Sequence, residues 1–122
     1  MKIIHFSDVH IHNQLIVDQN PIERFQKALD HLTKNHLDSD LFVISGDLAH
    51  HGKIQSYKKL KEMIDSAKLP KHLFPKLIIG NHDNREIFKS YFTEVPLDEN
   101  GFVQYEQDFN EKRFIFMDTN LE

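Results

Sequence analysis

Apolar and polar positions follow two rhythms along the 122 residues. Short apolar runs end abruptly on polar clusters. Ile3-Ile4-His5-Phe6 runs into Ser7-Asp8-Val9-His10, Leu41-Phe42-Val43-Ile44 into Ser45-Gly46-Asp47, and Leu77-Ile78-Ile79 into Gly80-Asn81-His82-Asp83. Such runs read as buried strands, here over Lys2–Phe6, Leu41–Ser45 and Lys76–Ile79. Between them apolar positions recur at helical spacing. Ile22, Phe25, Leu29 and Leu32 predict a helix over Pro21–Asn35, with Asn20 as its N-cap and Pro21 at its first position. Ile54, Tyr57, Leu60, Ile64 and Ala67 predict a second helix, stopped by Leu69-Pro70. Ile87, Phe88, Tyr91 and Phe92 predict a short third one. Further on, Asp98-Glu99-Asn100-Gly101 reads as a turn, and Phe102–Glu106 and Arg113–Met117 as strands joined by a polar loop, Gln107–Lys112. Strand, helix, strand, helix, strand is the α/β pattern of right-handed crossovers and a mainly parallel sheet.

Ligand sites of open α/β sheets gather beyond the carboxyl ends of the strands, and here each strand end delivers Asp, His or Asn. Asp8 and His10 are spaced i, i+2, which in extended backbone puts both side chains on one face, able to grip one ion. The carboxylate of Asp47 can bridge two cations, one oxygen to each, and Asn81 offers a neutral amide oxygen. Carboxylate, imidazole and amide ligands without sulfur point to Mn, Fe or Zn. His82 could be a further ligand, but better fits a role behind the metal ligands, with Asp83 orienting its ring. An Asp-x-His at a strand end or a Gly-Asp turn is ordinary when met singly. All three clusters at successive strand ends make a site.

Composition narrows the classes. The net charge of −4, from 15 Lys and Arg against 19 Asp and Glu, disfavours binding along nucleic acid, although bound cations would reverse the local sign. Without cysteine there is neither disulfide nor thiolate ligand. The apolar start is too short for a signal peptide, no run reaches transmembrane length, and a cytoplasmic protein is the expectation. Arg85 could clamp a phosphate bidentately, or pair with Asp83 or Glu86. His12 reads as a loop residue near the metal mouth, and His50 and His51 as a solvated loop, with a contact to substrate as the less favoured alternative. The Phe-rich stretch after His82 reads as core.

The blocks Asp8-Val9-His10, Gly46-Asp47 and Gly80-Asn81-His82-Asp83 resemble those of the calcineurin-like metallophosphoesterases. The resemblance covers essentially the whole chain, including Asp118-Thr119. Asp83 after Gly-Asn-His, with Arg85 following, is similar to the branch of the class III cyclic-nucleotide phosphodiesterases. It implies the N-terminal half of a four-layer α/β/β/α sandwich, residues 1–122 forming a single, C-terminally truncated domain. It also implies two divalent metal ions: Asp8 and His10 on the first, Asp47 bridging, Asn81 on the second. His82 and Arg85 would then meet the substrate phosphate, with His82 and Asp83 the catalytic pair. The implied activity is hydrolysis of a cyclic nucleotide or similar small phosphodiester by a metal-bound hydroxide. A nucleic-acid phosphodiesterase is a less favoured alternative, and a non-catalytic binding or assembly module is another. No histidine follows His82, whereas the family uses three further histidine ligands. The piece alone is therefore expected to be close to inactive, unless a homodimer or a longer parent supplies them. No membrane association is expected.

Overall fold

The computed structural model describes residues 1–120; Leu121 and Glu122, the last of the polar stretch after the final strand, lie outside the described residues. Three strands, β1 (Ile3–Ser7), β2 (Leu41–Ser45) and β3 (Lys76–Ile78), form a parallel sheet in the order β1-β2-β3. Ile4 pairs with Phe42, Phe6 with Ile44, and Ser45 with Ile78, so the strands end level with one another. Level ends are what bring the three polar clusters to a single rim.

Helix α1 (Pro21–Asn35) starts where Asn20 turns its side-chain oxygen onto the amides of Ile22 and Glu23, at 3.1 and 3.2 Å, with proline following. It buries Phe25, Leu29 and Leu32. Phe25 meets Phe6 of β1 edge-on, ring centroids 6.1 Å apart, and Phe6 meets Phe42 at 5.0 Å. Helix α2 (Ile54–Ser66) buries Tyr57, Leu60, Met63 and Ile64, while Ile54 at its start is exposed. Past Pro70 the chain makes a 3-10 turn, Lys71–Leu73, before β3. Helix α3 (Arg85–Tyr91) is capped by Asn84, whose side chain accepts from the Ile87 amide at 3.0 Å.

The last two strands lie apart from the expected positions. β4 (Tyr105–Phe109) and β5 (Lys112–Phe116) form their own antiparallel ribbon, Tyr105 opposite Phe116 and Phe109 opposite Lys112. The connection is the two-residue turn Asn110-Glu111 with φ of 46° and 69°, the left-handed geometry of a tight hairpin, not a loop over Gln107–Lys112. Phe102 and Gln104 are taken up instead by the preceding turn. The carboxylate of Asp98 accepts from the amides of Asn100 and Phe102, both at 2.9 Å, and from the Gln104 side chain at 2.6 Å. Three bonds to one aspartate outweigh the apolar alternation that suggested a strand from Phe102.

Candidate metal centre

Backbone hydrogen bonding runs on past the strands into the rim. The Asp8 amide donates to the Gly46 carbonyl at 3.2 Å, His10 to Asp47 at 2.9 Å, and Gly46 to Ile78 at 2.9 Å. Within this frame Asp8, His10 and Asp47 all have positive φ, 53°, 45° and 49°. Non-glycine residues adopt this region rarely, and their surroundings must hold them there. Asp8 and His10 therefore do not converge through extended backbone, as their i, i+2 spacing suggested. The chain has already left the strand, and two left-handed residues turn the side chains together.

They do converge. His10 Nε2 lies 3.8 Å from Asp8 Oδ1 and 3.7 Å from Asp47 Oδ2. One ligand atom from each of the three residues falls within 4.8 Å of the others, and the 3.8 and 3.7 Å separations from His10 Nε2 are ones that an ion with bonds of about 2.1 Å can span. Asp47 is nearly buried and its Oδ1 accepts from the His82 amide at 2.8 Å. The Asn81 side-chain amide stands 3.2 and 3.3 Å from the two Asp47 oxygens. With its NH2 turned in it donates to them; with its oxygen turned in, the cluster is all acceptors and calls for a cation. Gly80 makes the approach possible. A Cβ there would sit 2.5 Å from Asp47 Oδ1 and 2.6 Å from the Asp47 nitrogen.

The neighbours of these ligands depart from expectation. Asp83 does not orient His82. It is buried, and its carboxylate accepts from the amides of Leu48, Ala49 and Gly80, at 3.0, 2.9 and 2.8 Å, and from the Tyr57 hydroxyl at 2.8 Å. Burial raises its pKa, opposed by those four donors. Asp83 thus staples the loop after Asp47 to the turn after Gly80. Tyr57, whose hydroxyl also accepts from the Asn84 amide at 2.8 Å, completes the staple; nothing in a helical apolar stripe marked it for that. Arg85 holds Asp118, through Nε at 2.8 Å and Nη2 at 3.0 Å, and the Asn120 carbonyl at 2.7 Å. With its side chain only 10% exposed, it is a strut rather than a free phosphate clamp.

His82 takes its orientation from His50 instead, its Nδ1 lying 2.8 Å from the His50 carbonyl. The His50 ring stacks on that of His82 at 5.3 Å and places Nδ1 3.2 Å from His10 Nδ1. Partial burial, then the neighbouring His51, His10, His82 and His12, lower the His50 pKa below the ordinary imidazole value. His50 is no solvated loop residue. The signal for it lay in its position between Asp47 and Gly52, a glycine at φ 62° whose added Cβ would strike the Asn84 amide at 2.9 Å.

The sequence model of the calcineurin-like phosphoesterases matches residues 1–120. This chain belongs to the calcineurin-like phosphoesterase family. It is 33% identical over 121 residues to a probable cyclic nucleotide phosphodiesterase of Rhodopseudomonas palustris, covering 98% of this chain and 43% of that one. With a probable cyclic nucleotide phosphodiesterase of Fibrobacter succinogenes the identity is 31%, covering 98% of this chain and 45% of the relative. A cAMP/cGMP dual specificity phosphodiesterase of Mycobacterium tuberculosis is 31% identical over 100 residues, 77% of this chain and 31% of the relative. The chain thus spans less than half the length of these relatives. The mixed α/β architecture with its parallel sheet fits the N-terminal part of the family fold. The family implies divalent metal ions, and the donor set fits them: two carboxylates, an imidazole and an amide, set at one rim around a glycine too close to Asp47 to carry a side chain. Among the described residues no helix is long and apolar enough to cross a membrane.

Proposed function

We propose that this chain forms the metal-holding part of a phosphodiesterase that hydrolyses a cyclic nucleotide or a similar small phosphodiester. The observation that carries the reading is the meeting of Asp8, His10 and Asp47 at level strand ends, ligand atoms within 4.8 Å. Asp8 and His10 would hold one divalent ion, Asp47 would bridge, and Asn81 would serve a second; Mn, Fe and Zn suit such donors. Bound there, the ions supply a nucleophile at neutral pH and polarise the phosphoryl oxygens.

The chain's own residues do the rest. Gly80 admits Asp47 to the centre, and the Asp83 staple holds both rim loops at one spacing. The His50 carbonyl accepts from His82 Nδ1, which leaves Nε2 of His82 to face the substrate and, once protonated to the imidazolium form, pass that proton to the leaving oxygen. The size of the substrate is supported by a cleft of about 340 Å³ beside Asp8 and His10, walled by Phe6, Val9, Ile16, Pro21 and Phe25, within the range of small-ligand sites. The names of the relatives support a cyclic nucleotide. One further relative, a probable glycerophosphodiester phosphodiesterase of Arcobacter nitrofigilis at 28% identity, keeps other small diesters in view. The proposed setting is the cytoplasm, and a second copy of the chain is the candidate protein partner.

Hydrolysis of a chromogenic phosphodiester with excess Mn²⁺, by the chain as a homodimer or by a longer parent that adds the remaining histidine ligands, tests this. Activity should vanish in Asp47→Ala, while His82→Ala should keep its Mn²⁺ and lose about 10²-fold in turnover. Hydrolysis that is indifferent to Mn²⁺ and to Asp47 would contradict the proposal.

A further inference from the structure

Beside the carboxylate cluster lies a second convergence, made of imidazoles alone. We propose that His10, His50 and His82 form a separate site for a late first-row divalent cation, Ni²⁺, Cu²⁺ or Zn²⁺. Their ligand nitrogens all lie within 4.8 Å of one another, although the residues come from the loops after three different strands. The Nδ1 atoms of His10 and His50 are 3.2 Å apart. Two nitrogens bound to one tetrahedral ion at about 2.0–2.1 Å stand roughly 3.3 Å apart, so this pair already has the spacing of neighbouring ligands. His82 closes the group, its ring 4.9 Å from that of His10 and 5.3 Å from that of His50.

Hydrogen bonding sets the tautomer of His82. A carbonyl oxygen only accepts, so the Nδ1 facing the His50 carbonyl at 2.8 Å carries the proton and Nε2 carries the lone pair. A backbone carbonyl on the non-ligating nitrogen is the usual partner of a metal-binding histidine. Three neutral imidazoles bring no negative charge, which suits nitrogen-preferring late metals and not Mn²⁺ or Mg²⁺. The carboxylate cluster, by contrast, also suits harder ions such as Mn²⁺, so one rim holds two sites of different hardness.

The two sites share His10. Its Nε2 faces Asp8 and Asp47 at 3.8 and 3.7 Å, and its Nδ1 faces His50. A neutral imidazole has one lone pair in its plane, so His10 serves one site at a time. Occupation of the imidazole site draws His10 from the carboxylate set, and the two cations compete.

Titration of the chain with Ni²⁺, followed by calorimetry and by visible absorption, tests the site without reference to catalysis. Asp47→Asn should bind Ni²⁺ as the wild type does, with the absorption of nitrogen ligation. His50→Ala should weaken that binding by about 100-fold or more, and so should His82→Ala, whose side chain is exposed and whose loss leaves the core intact; a circular dichroism spectrum confirms that each variant is folded. Wild-type Ni²⁺ affinity in both folded histidine variants would overturn the proposal, as would loss of binding in Asp47→Asn. Either result leaves the phosphodiesterase reading standing, because that reading rests on the meeting of Asp8, His10 and Asp47, whatever Ni²⁺ does at His50 and His82.

Discussion

The parallel sheet and the β4–β5 ribbon meet opposite demands. In β2, Leu41, Phe42 and Ile44 are wholly buried, and its two neighbours pair with it in one level register. In the ribbon, Ile115 is 69% exposed, and the docking rests on contacts such as the Tyr105 hydroxyl on the Leu77 carbonyl at 2.8 Å. A strand packed on both sides cannot slide, so its end is a fixed point from which strained residues can be held. Asp47 keeps left-handed backbone at such a fixed point, and Asp8 and His10, beyond the edge strand β1, are held to it by their backbone bonds to Gly46 and Asp47. The ribbon has left-handed residues too, Asn110 and Glu111, but there they only close a turn. Strain serves chemistry where the surroundings over-determine the backbone, and serves connection where they do not.

The contrast can be broken most severely at Asp83. Asp83→Ala strands four donors in the rim and should lower stability by about 4 kcal/mol, measured by urea unfolding. If instead stability held and only turnover fell, Asp83 would be acting on His82 after all.

Arg85→Ala, which takes the charged partner from buried Asp118, should follow at about 3 kcal/mol. This loss depends on pH. Burial pushes the Asp118 pKa up, but the Arg85 guanidinium and the amides of Val103 and Asn120 outweigh it and hold the carboxyl below its usual range. A depressed folded-state pKa stabilises above the unfolded value and stops doing so as pH falls through the folded one. The gap between wild type and Arg85→Ala should therefore be flat near neutrality and shrink below about pH 4. A gap that widened in acid would reverse the assignment.

Gly80→Ala tests the rim at its tightest point. The added methyl must displace Asp47, lowering Mn²⁺ affinity along with roughly 1–3 kcal/mol of stability. Smallest, and of opposite sign, is Glu111→Gly in the ribbon turn. It relieves a residue at φ 69° and should raise stability by about 0.5 kcal/mol in the same urea assay, with no change in metal binding.

What could be read in the sequence follows the same division. Pro21–Asn35 is the helix predicted from Asn20, Pro21 and the apolar stripe, because capping and periodicity are local. The three apolar runs fold as the parallel strands and their polar ends form the rim, but the first, read as buried, lies at the sheet edge with alternating exposed and half-buried residues. The start of the ribbon was misplaced because Asp98 spends its carboxylate on Phe102 and Gln104, a choice that no alternation of apolar residues encodes. The left-handed turns at Asp8 and His10 were hidden as well, since neither is glycine. Asp83, Arg85 and His50 each read as polar residues near the site, but Tyr57, Asp118 and His10, the partners that fix their roles, are 26 to 40 positions away. Long-range pairing of polar groups leaves no period in the chain.

The most direct measurement is a calorimetric Mn²⁺ titration of the chain beside Asp47→Asn. The account predicts binding by the wild type that disappears in the variant, while the circular dichroism of the two stays the same. Equal binding by both, or none by the folded wild type, would contradict the claim that the ends of β1 and β2 are built to hold a divalent cation.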